Sequence, residues 1–428
     1  MSHTLLSYPD SVRFLYALGN ESRSAKLGLE TVSTLLERLG NPHRAASFVH
    51  VAGTNGKGSV CAMIESALRT AGVRTGLFTS PHLVEPTERI QVGGRPVDPE
   101  LFAQAFDRVH SVSEALLAEG VLTAHPTYFE TVTLMAFLLF RDLGAGTVAL
   151  EVGLGGRLDA TNVVRPRVSV IMPIDYDHEA YLGKSLEAIA GEKAGIIKPG
   201  VPLVLGPQRP AIEELLETRA AELAAPVFKH SAWNAEDLQM DAHGSRFIAS
   251  GPRTLHIECP MAGEHQVSNA LTAIATLHLL DLPSVAIEQG IRHARWPGRL
   301  ERVSEHPEIV LDGAHNPAGA RMLAHHIQRF YSDRRVWLIY GAMRDKAVSE
   351  VAGVLLPAAH GVILTAPDHP RAVRPEALMG LVDHPRLRAA PNLPGALRLI
   401  RENAAPDDAV FITGSLFLVG EARALLVQ

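Results

Sequence analysis

This chain of 428 residues contains few cysteines and few aromatic residues, which make up 5% of it, and it has no excess of positive charge. Two cysteines, Cys61 and Cys259, are too few for a disulfide framework and indicate a reducing compartment. Forty basic residues against 46 acidic ones give a net charge of -6. Because a general nucleic-acid binder needs a basic face, we predict no nucleic-acid partner, whereas a small anionic ligand stays compatible with this charge.

Long hydrophobic runs are also missing. The longest, Val132–Phe140, has about half of the ~18 residues that a membrane span requires. Pro9, Asp10 and Arg13 interrupt the apolar core that a signal peptide would need. We therefore expect a soluble, cytoplasmic protein with no membrane partner. At 46% hydrophobic residues the chain is apolar enough to bury sizeable cores, and its length suggests about two or three domains.

Helical and extended patterns alternate along most of the chain. Apolar strand candidates such as Phe48–Ala52 and Val148–Val152 alternate with helical stretches such as Val60–Thr70. This alternation predicts βαβ units and a mostly parallel sheet that is covered on both faces. Between about Val227 and Cys259, short segments separated by Gly and Pro predict antiparallel hairpins at a sheet edge.

A Pro-Gly pair in Trp296–Arg299 follows two predicted helices and suggests a domain boundary, beyond which the alternation of strands and helices resumes. The sequence therefore predicts an α/β protein with residues 1–296 as the first domain. Residues 297–428 are predicted to form a second, smaller α/β domain.

The strongest local signal lies between His50 and Val60, where the sequence is His-Val-Ala-Gly-Thr-Asn-Gly-Lys-Gly-Ser-Val after an apolar strand. Its glycines allow the backbone to approach phosphate oxygens, and successive N–H groups and a helix N-terminus supply positive potential. Lys57 is the candidate charge for the outer phosphates, and Ser59 is the candidate hydroxyl near Mg²⁺. Because Gly58 separates these two residues, the motif is a modified phosphate loop.

Carboxylates follow two further apolar strands. Glu151 comes at the end of one of them and is a candidate Mg²⁺ ligand, since hard cations take oxygen donors; a solvated or Arg-paired carboxylate is the alternative. Asp177 and His178 follow the strand Val168–Met172 and suggest a metal or phosphate site, with a turn histidine as the alternative. Lys193 near a helix C-terminus is explained by the helix dipole alone.

A similar strand-to-helix junction occurs in the second half of the chain. Asn316 is a natural N-cap with Pro317 at the first helical position, which accounts for both residues. This explanation does not cover Asp312 or His315, and Arg299 is a candidate phosphate contact.

Taken together, these segments resemble the folylpolyglutamate synthase family, including its bifunctional form with dihydrofolate synthase activity, which is related to the Mur ligases. The segments run in the family's order and span nearly the whole chain: Leu27–Glu30, Ala52–Ser59, Thr79–Leu83, Glu88–Ile90, Thr127–Glu130, Glu151–Asn162, Asp177–His178, Leu182–Gly183, Gly191–Ile196, Pro297–Arg299, Asp312–Pro317 and Thr413–Leu416. The loop Gly-Thr-Asn-Gly-Lys-Gly-Ser and the segment Gly-Leu-Gly-Gly-Arg-Leu-Asp-Ala-Thr-Asn are highly specific as a pair.

The resemblance implies an N-terminal P-loop ATPase domain with a mostly parallel sheet and a smaller Rossmann-like C-terminal domain of the glutamate-ligase type. It implies an ATP-dependent ligase that adds L-glutamate to a folate carboxylate, and also to dihydropteroate, through an acyl phosphate. ATP and Mg²⁺ at two sites are implied, and a K⁺ ion is allowed. The partners would be small molecules only, and we expect a monomer.

Residue roles follow from the same resemblance. Lys57, Lys193 and His315 are the implied catalytic residues, with Lys193 carbamylated. The implied nucleotide contacts are Thr54, Asn55, Gly56, Lys57, Gly58, Ser59, Asn269, Arg299 and Asp312. The implied Mg²⁺ ligands are Ser80, Glu151 and His178. The implied folate or pteroate pocket contains Thr127, Tyr128, Phe129, Leu158, Asp159 and Ala160, with an aromatic pair that could stack a pterin ring.

The sequence speaks against two other functions. A Mur-type ligase acting on a nucleotide-linked precursor is disfavoured, because a nucleotide-sugar domain would precede the phosphate loop and only about fifty residues do so. A non-enzymatic nucleotide-binding module would not need Glu151, His178, Lys193 and Asp312 together. Departures from the family around Pro173, Asp175 and Tyr176, in Val84–Glu88 and in residues 19–22 bear on substrate preference rather than on the reaction.

Overall fold

A computed structural model describes residues 7–18, 28–344 and 347–427; Leu27 and the departure at 19–22 lie outside this part. The chain divides into two units. The first consists of Met1–Asn234, Ser250–Leu255 and Ser268–His293, and the second of Ala235–Ala249, His256–Val267 and Ala294–Gln428. The predicted domain boundary at 296/297 stays a prediction.

The first unit is built on an eight-stranded sheet with the order β4-β3-β2-β5-β1-β6-β7-β8. Its strands are β1 Ser47–Ala52, β2 Thr75–Phe78, β3 Ile90–Val92, β4 Arg95–Pro96, β5 Thr147–Glu151, β6 Val168–Ile171, β7 Leu203–Leu205 and β8 Val227–Lys229. The neighbouring strands in the part β2-β5-β1-β6-β7-β8 of this order pair in parallel. At the other edge, β3 pairs with β2 and β4 pairs with β3 in antiparallel fashion. The central strands are buried on both faces, which is why their sequences are nearly continuous apolar runs.

Helices cover this sheet and supply most of its core. Those before residue 294 are α1 Tyr8–Ala17, α2 Glu30–Arg38, α3 Lys57–Thr70, α4 Pro99–Ala118, α5 Tyr128–Asp142, α6 Glu179–Leu182, α7 Leu186–Ala194, α8 Pro210–Glu222, α9 Glu264–Leu279 and α10 Ser284–His293. The start of α5 is fixed by a capping box, in which Glu130 N donates to Thr127 Oγ1 (3.2 Å) and Thr127 N donates to Glu130 Oε2 (2.7 Å).

Contrary to the sequence prediction, the strands between Val227 and Cys259 do not all lie at one sheet edge. β8 is the edge strand of the large sheet and pairs in parallel with β7. The following segments, β9 Asn234–Asp241, β10 Gly244–Ser250 and β11 Thr254–Cys259, form a separate three-stranded sheet. Alternate residues of β10 and β11, including Phe247 and Ile257, are buried, so this sheet has an apolar face of its own and does not need the large sheet's edge.

The second unit contains a six-stranded sheet with the order β12-β13-β17-β14-β15-β16. Its elements are β12 Glu301–Glu305, β13 Glu308–Leu311, α11 Pro317–Phe330, β14 Val336–Tyr340, α12 Val348–Leu355, β15 Gly361–Leu364, α13 Pro375–Met379, β16 Leu387–Ala389, α14 Leu393–Asn403, β17 Ala409–Thr413 and α15 Leu416–Leu426. Strands β13 to β17 pair in parallel, and β12 is antiparallel to β13. The predicted α/β class with a second α/β domain is confirmed.

Within the described part of the chain, no helix combines the length and the apolar character that crossing a membrane would demand.

Candidate active site

The phosphate loop lies between the end of β1 at Ala52 and the start of α3 at Lys57, as the sequence predicts. Asn55 and Gly56 are half-buried at its tip, whereas Gly58 and Ser59 are buried in the first turn of α3. Gly56 has a φ of 85°, and a Cβ at this position would lie 2.6 Å from Asn269 Oδ1. Only glycine therefore fits there, and its small size brings the amide of Asn269 against the loop.

Thr54 holds the loop to the segment after β6. Its backbone N–H donates to Pro173 O at 2.9 Å. Its hydroxyl donates to Asp175 O and accepts from Asp175 N, both at 3.0 Å. The Thr54 side chain thus fixes the shape of the loop, and Asp175, a departure from the family pattern, takes part through its backbone.

Lys57 bends back over the same loop. Its Nζ donates to Gly53 O at 3.1 Å and to Thr54 O at 3.2 Å, and lies 3.9 Å from Glu151 Oε1. The ammonium group is therefore held against the backbone of the loop, beside a buried carboxylate. A phosphate oxygen at this position would meet both the backbone donors and a fixed positive charge.

Glu151 and Ser80, two of the three predicted metal ligands, lie together. Glu151 ends β5 and is 4% exposed, and its Oε2 accepts from Ser80 N at 3.1 Å. The sheet explains this pairing, because β5 lies between β1 and β2, so that residues at the ends of all three strands meet at one edge. A buried carboxylate facing a serine and a phosphate loop offers the oxygen donors that Mg²⁺ takes, so the residues fit this ion.

His178, the third predicted ligand, lies in the loop before α6 with a φ of 52°. Its Nε2 lies 3.8 Å from Asp177 Oδ2, and 41% of its side chain is exposed. Imidazole is a less usual ligand than oxygen for a hard cation such as Mg²⁺. Whether His178 binds the metal stays a prediction.

Lys193 is buried against the phosphate loop, which its sequence position did not reveal. It is 5% exposed, and its Nζ donates to Gly53 O at 2.8 Å. Burial, together with the positive charge of Lys57, lowers the pKa of Lys193 to about 7, against the opposing effect of Asp177 and Asp159. The helix dipole therefore does not account for this lysine. Asp177, which the sequence places with His178 at a candidate metal or phosphate site, is also a functional candidate through its effect on the pKa of Lys193.

In the second unit, Asp312 anchors the turn between β13 and α11. Its carboxylate is buried and accepts from Leu300 N and Ala314 N, both at 3.0 Å. Burial raises the pKa of Asp312, and the nearby Arg299 guanidinium opposes this shift. Arg299 Nη1 packs so close to Gly313 that a Cβ there would collide with it. The side chains of Asp312 and Arg299 are thus held together at one end of β13.

Two residues that follow Asp312 differ in role: Asn316 caps a helix, and His315 is a candidate functional residue. Asn316 Oδ1 accepts from Gly319 N at 2.8 Å, which confirms the predicted N-cap of α11. His315 Nδ1 lies 2.8 Å from Gly313 O, a contact that fixes the orientation of the ring. Its catalytic role stays a prediction.

The predicted pteroate-side residues do not all present their side chains in the same way. The Tyr128 ring stacks on Tyr16, with centroids 5.8 Å apart and planes at 9°, and the Arg89 guanidinium lies 4.9 Å from the Tyr128 centroid. The Phe129 ring instead lies 5.9 Å from that of Phe78. The two neighbouring aromatic rings therefore pack against different partners, and Tyr16 is an aromatic residue that the sequence analysis did not assign.

Asp159 is the N-cap of a short 3-10 helix, Ala160–Val163. Its carboxylate accepts from Leu154 N (2.8 Å), from Thr161 N (3.0 Å) and from the Thr161 hydroxyl, which also lies 2.8 Å from His50 Nε2. Burial raises the pKa of Asp159, against these hydrogen bonds. The adjacent Leu158 is half-buried and Ala160 is buried, and the role of all three residues in binding a pteroate stays a prediction.

Comparisons with known proteins bear on the whole chain. The Mur ligase middle domain model matches residues 51–277, and the model of the Mur ligase glutamate ligase domain matches residues 298–416. A Bacillus subtilis protein named dihydrofolate synthase/folylpolyglutamate synthase is 34% identical over 430 residues, which cover 97% of this chain and 98% of that protein. A Haloferax volcanii protein named probable bifunctional folylpolyglutamate synthase/dihydropteroate synthase is 36% identical over 98% of this chain, which spans only 50% of that longer protein.

Among solved structures, Mycobacterium tuberculosis folylpolyglutamate synthase complexed with ADP and AMPPCP superposes with a TM-score of 0.91 at 32% identity, over 99% of both chains. Agreement of this kind in sequence, domain models and fold covers nearly the full length. The chain therefore belongs to the folylpolyglutamate synthase/dihydrofolate synthase family of ATP-dependent ligases within the Mur ligase superfamily.

Proposed function

We propose that this protein joins L-glutamate to a carboxylate of folate, and also to dihydropteroate, at the expense of ATP. The observation that carries the proposal is the arrangement around one loop: Lys57 and Lys193 both donate to Gly53 O, and Glu151 lies 3.9 Å from Lys57 Nζ. A binding module for nucleotides needs the loop and Lys57, but it has no need of a second buried lysine.

The reaction proceeds in two steps. A carboxylate oxygen of the acceptor attacks the γ-phosphorus of ATP, the bond to the bridging oxygen breaks, and ADP leaves with an acyl phosphate in place. The amine of L-glutamate then attacks the acyl carbon, phosphate departs with the C–O electron pair, and the amine loses a proton to give the amide. The loop N–H groups and Lys57 offset the negative charge on the transferring phosphoryl group.

A divalent cation would be held by Glu151 and Ser80, with His178 as a third residue, and it would neutralise charge on the phosphate oxygens. We propose Mg²⁺ at two sites, with K⁺ allowed as a further ion. One carboxylate oxygen of Glu151 accepts from Ser80 N, and the other lies 3.9 Å from Lys57 Nζ. The same side chain therefore contacts both a proposed metal-binding residue and the lysine of the phosphate loop.

Lys193 is proposed to carry a carbamate. The lowered pKa of about 7 leaves much of the amine neutral near pH 7, and a neutral amine attacks CO₂. The new N–C bond gives a carbamate anion and releases one proton. This change replaces a buried cation beside Lys57 with an anion, which relieves the repulsion between the two lysines and supplies oxygen donors.

The remaining assigned residues are proposed to contact substrates. Asn269 lies against the loop at Gly56 and would contact the nucleotide, as would Arg299 and Asp312. His315 is proposed to position phosphate or glutamate. The pterin side of the acceptor would contact Thr127, Tyr128, Phe129, Leu158, Asp159 and Ala160. Because Tyr128 already stacks on Tyr16, this ring pair is the support for aromatic stacking in the pocket.

The protein is further proposed to be a cytoplasmic monomer that uses only small-molecule substrates. Both cysteines are buried free thiols, which fits a reducing compartment.

The test is ADP release by the purified protein with ATP, Mg²⁺ and L-glutamate, in the presence of dihydropteroate, tetrahydrofolate or no acceptor. Release with both acceptors supports the bifunctional activity. Release with tetrahydrofolate alone restricts the proposal to chain extension. If neither acceptor stimulates release, the glutamate-ligase proposal is wrong for this chain, and a nucleotide-linked precursor becomes the next acceptor to try.

Replacing His178 with alanine is expected to raise the Mg²⁺ concentration that gives half-maximal activity by ~10-fold, because one group that holds or orients the cation is lost. The measurement is a Mg²⁺ titration of ADP release at saturating ATP. His293→Ala, which removes an exposed histidine at the end of α10, is the matched control. An unchanged Mg²⁺ dependence in the His178 variant would remove this residue from the metal site.

A further inference from the structure

A second group of metal-ligating side chains lies in the first unit on α4 and in the loop that follows it. His110 and Glu114 are four residues apart on α4 and therefore share one face of the helix. His125 comes from the loop between α4 and α5. The three residues offer one ligand atom each, and these atoms all lie within 4.8 Å of one another.

We propose that His110, Glu114 and His125 form a binding site for a divalent transition metal, with Zn²⁺ as the representative ion. The site would use two imidazole nitrogens and one carboxylate oxygen, and a water molecule would complete the tetrahedron. The site is separate from the Mg²⁺ ligands proposed above, which lie at the strand ends of the large sheet.

The spacing of the ligand atoms supports this assignment. His125 Nε2 lies 3.3 Å from Glu114 Oε1, and His110 Nδ1 lies 3.8 Å from the same oxygen. Ligands at the usual Zn–N and Zn–O distances on a tetrahedral ion are about 3.3 Å apart. Two of the three separations therefore match a shared ion to within about 0.5 Å, a difference that rotation of exposed side chains would remove.

Aromatic rings pack against both histidines of the cluster. The His110 ring stacks on Phe106, with centroids 5.5 Å apart and planes at 11°, and lies 4.6 Å from the Phe14 ring. Phe14 also lies 6.1 Å from the His125 ring. These aromatic contacts orient both imidazoles and shield one side from water. Since imidazole suits Zn²⁺ better than Mg²⁺, the set discriminates against the cation of the phosphate loop.

Metal binding would join two parts of the first unit, α4 and the loop that follows it, and the Phe14 ring of α1 packs against both histidines. His125 lies two residues before Thr127, the N-cap of α5, and Phe14 belongs to α1, which also carries Tyr16. An ion that ties His125 to α4 would hold the chain leading into Thr127 and Tyr128. The proposed site is therefore a clamp on the segment that precedes the predicted pteroate-side residues.

The experiment is a Zn²⁺ titration of the full chain by calorimetry, after EDTA treatment and dialysis, in buffer with MgCl₂ in large excess so that sites for hard cations are filled. The wild-type protein is expected to show a binding event that His125→Gln and Glu114→Gln each weaken by ~100-fold or more, since even groups that only orient a ligand are worth about 10- to 100-fold in metal affinity. Both residues are exposed, so these variants should fold even if a change at His110 disturbs its contacts with Phe14 and Phe106.

His293→Gln removes an exposed histidine outside the cluster and is expected to keep the wild-type isotherm. Co²⁺ supplies an independent readout, because four-coordinate Co²⁺ gives intense visible bands that should be present in the wild type and lost in both cluster variants. Zn²⁺ should also raise the thermal midpoint of the wild type but not of the variants. Equal Zn²⁺ isotherms for wild type, His125→Gln and Glu114→Gln, or Zn²⁺ binding lost equally in His293→Gln, would overturn the proposal.

Discussion

Lys57→Ala is expected to lower glutamate-dependent ADP release by about 1,000-fold, because the ammonium group that offsets the charge on the transferring phosphoryl group is lost. In the structure the ammonium group is held by Gly53 O and Thr54 O, so it needs little reorganisation to meet a phosphate oxygen. The measurement is the initial rate of ADP release at saturating ATP, L-glutamate and tetrahydrofolate.

The fold should survive this change, since among the described residues the Lys57 side chain donates to two loop carbonyls and approaches Glu151, and none of these contacts joins core elements. The thermal midpoint therefore serves as the control for folding. Lys184→Ala, which removes an exposed lysine in the loop before α7, should leave the rate unchanged. Retained turnover in Lys57→Ala with a normal midpoint would refute the role of Lys57 as the phosphate clamp.

Lys193→Ala is expected to lower the rate by ~100-fold or more, because both the side chain and its proposed carbamate are lost. The wild-type enzyme should lose activity in CO₂-free buffer and regain it when bicarbonate is added. The fraction of Lys193 that carries a carbamate should increase between about pH 6 and pH 8, since CO₂ reacts with the neutral amine and the pKa of Lys193 is lowered to about 7. The measurements are ADP release in degassed and bicarbonate-containing buffer, and the intact mass after trapping of the carbamate.

Lys198→Ala is the matched control, because Lys198 is a half-buried lysine just after α7 and donates to Asn162 O at 3.0 Å. The CO₂ dependence should persist in this variant. Formate or acetate should partly restore activity to Lys193→Ala if an anion is what the site requires. Activity that is independent of CO₂ in the wild type, together with an unmodified mass, would show that Lys193 acts as a plain amine.

Local sequence patterns were sufficient for the phosphate loop. Glycines, Lys57 and a strand-to-helix junction lie within one short segment, so the presence and position of the loop could be recognised from that segment. The N-cap at Asn316 was predictable for the same reason, because the donor at Gly319 is only three residues away. Features of this kind are encoded by neighbours in sequence.

Tertiary contacts decided the features that the sequence did not reveal. Lys193 had the sequence position of an ordinary lysine in the last turn of a helix, but α7 places it against Gly53, far away along the chain. The segments of β9 to β11 had the right period for strands, yet nothing local specified which sheet they would join. The stacking of Tyr16 on Tyr128 likewise depends on how α1 packs on α5, which no local pattern encodes.

The position of β1 in the centre of the large sheet has a consequence for the order of folding. Its two neighbours, β5 and β6, come from much later in the chain, and they supply Glu151 and the segment that holds Thr54. The loop therefore becomes a binding site only when these non-local strand pairings have formed. Such pairings form slowly, because each one closes a long stretch of chain. Nucleotide should consequently leave the refolding rate unchanged and act by slowing unfolding, and a nascent chain should acquire nucleotide binding only after β6 and α7 have left the ribosome.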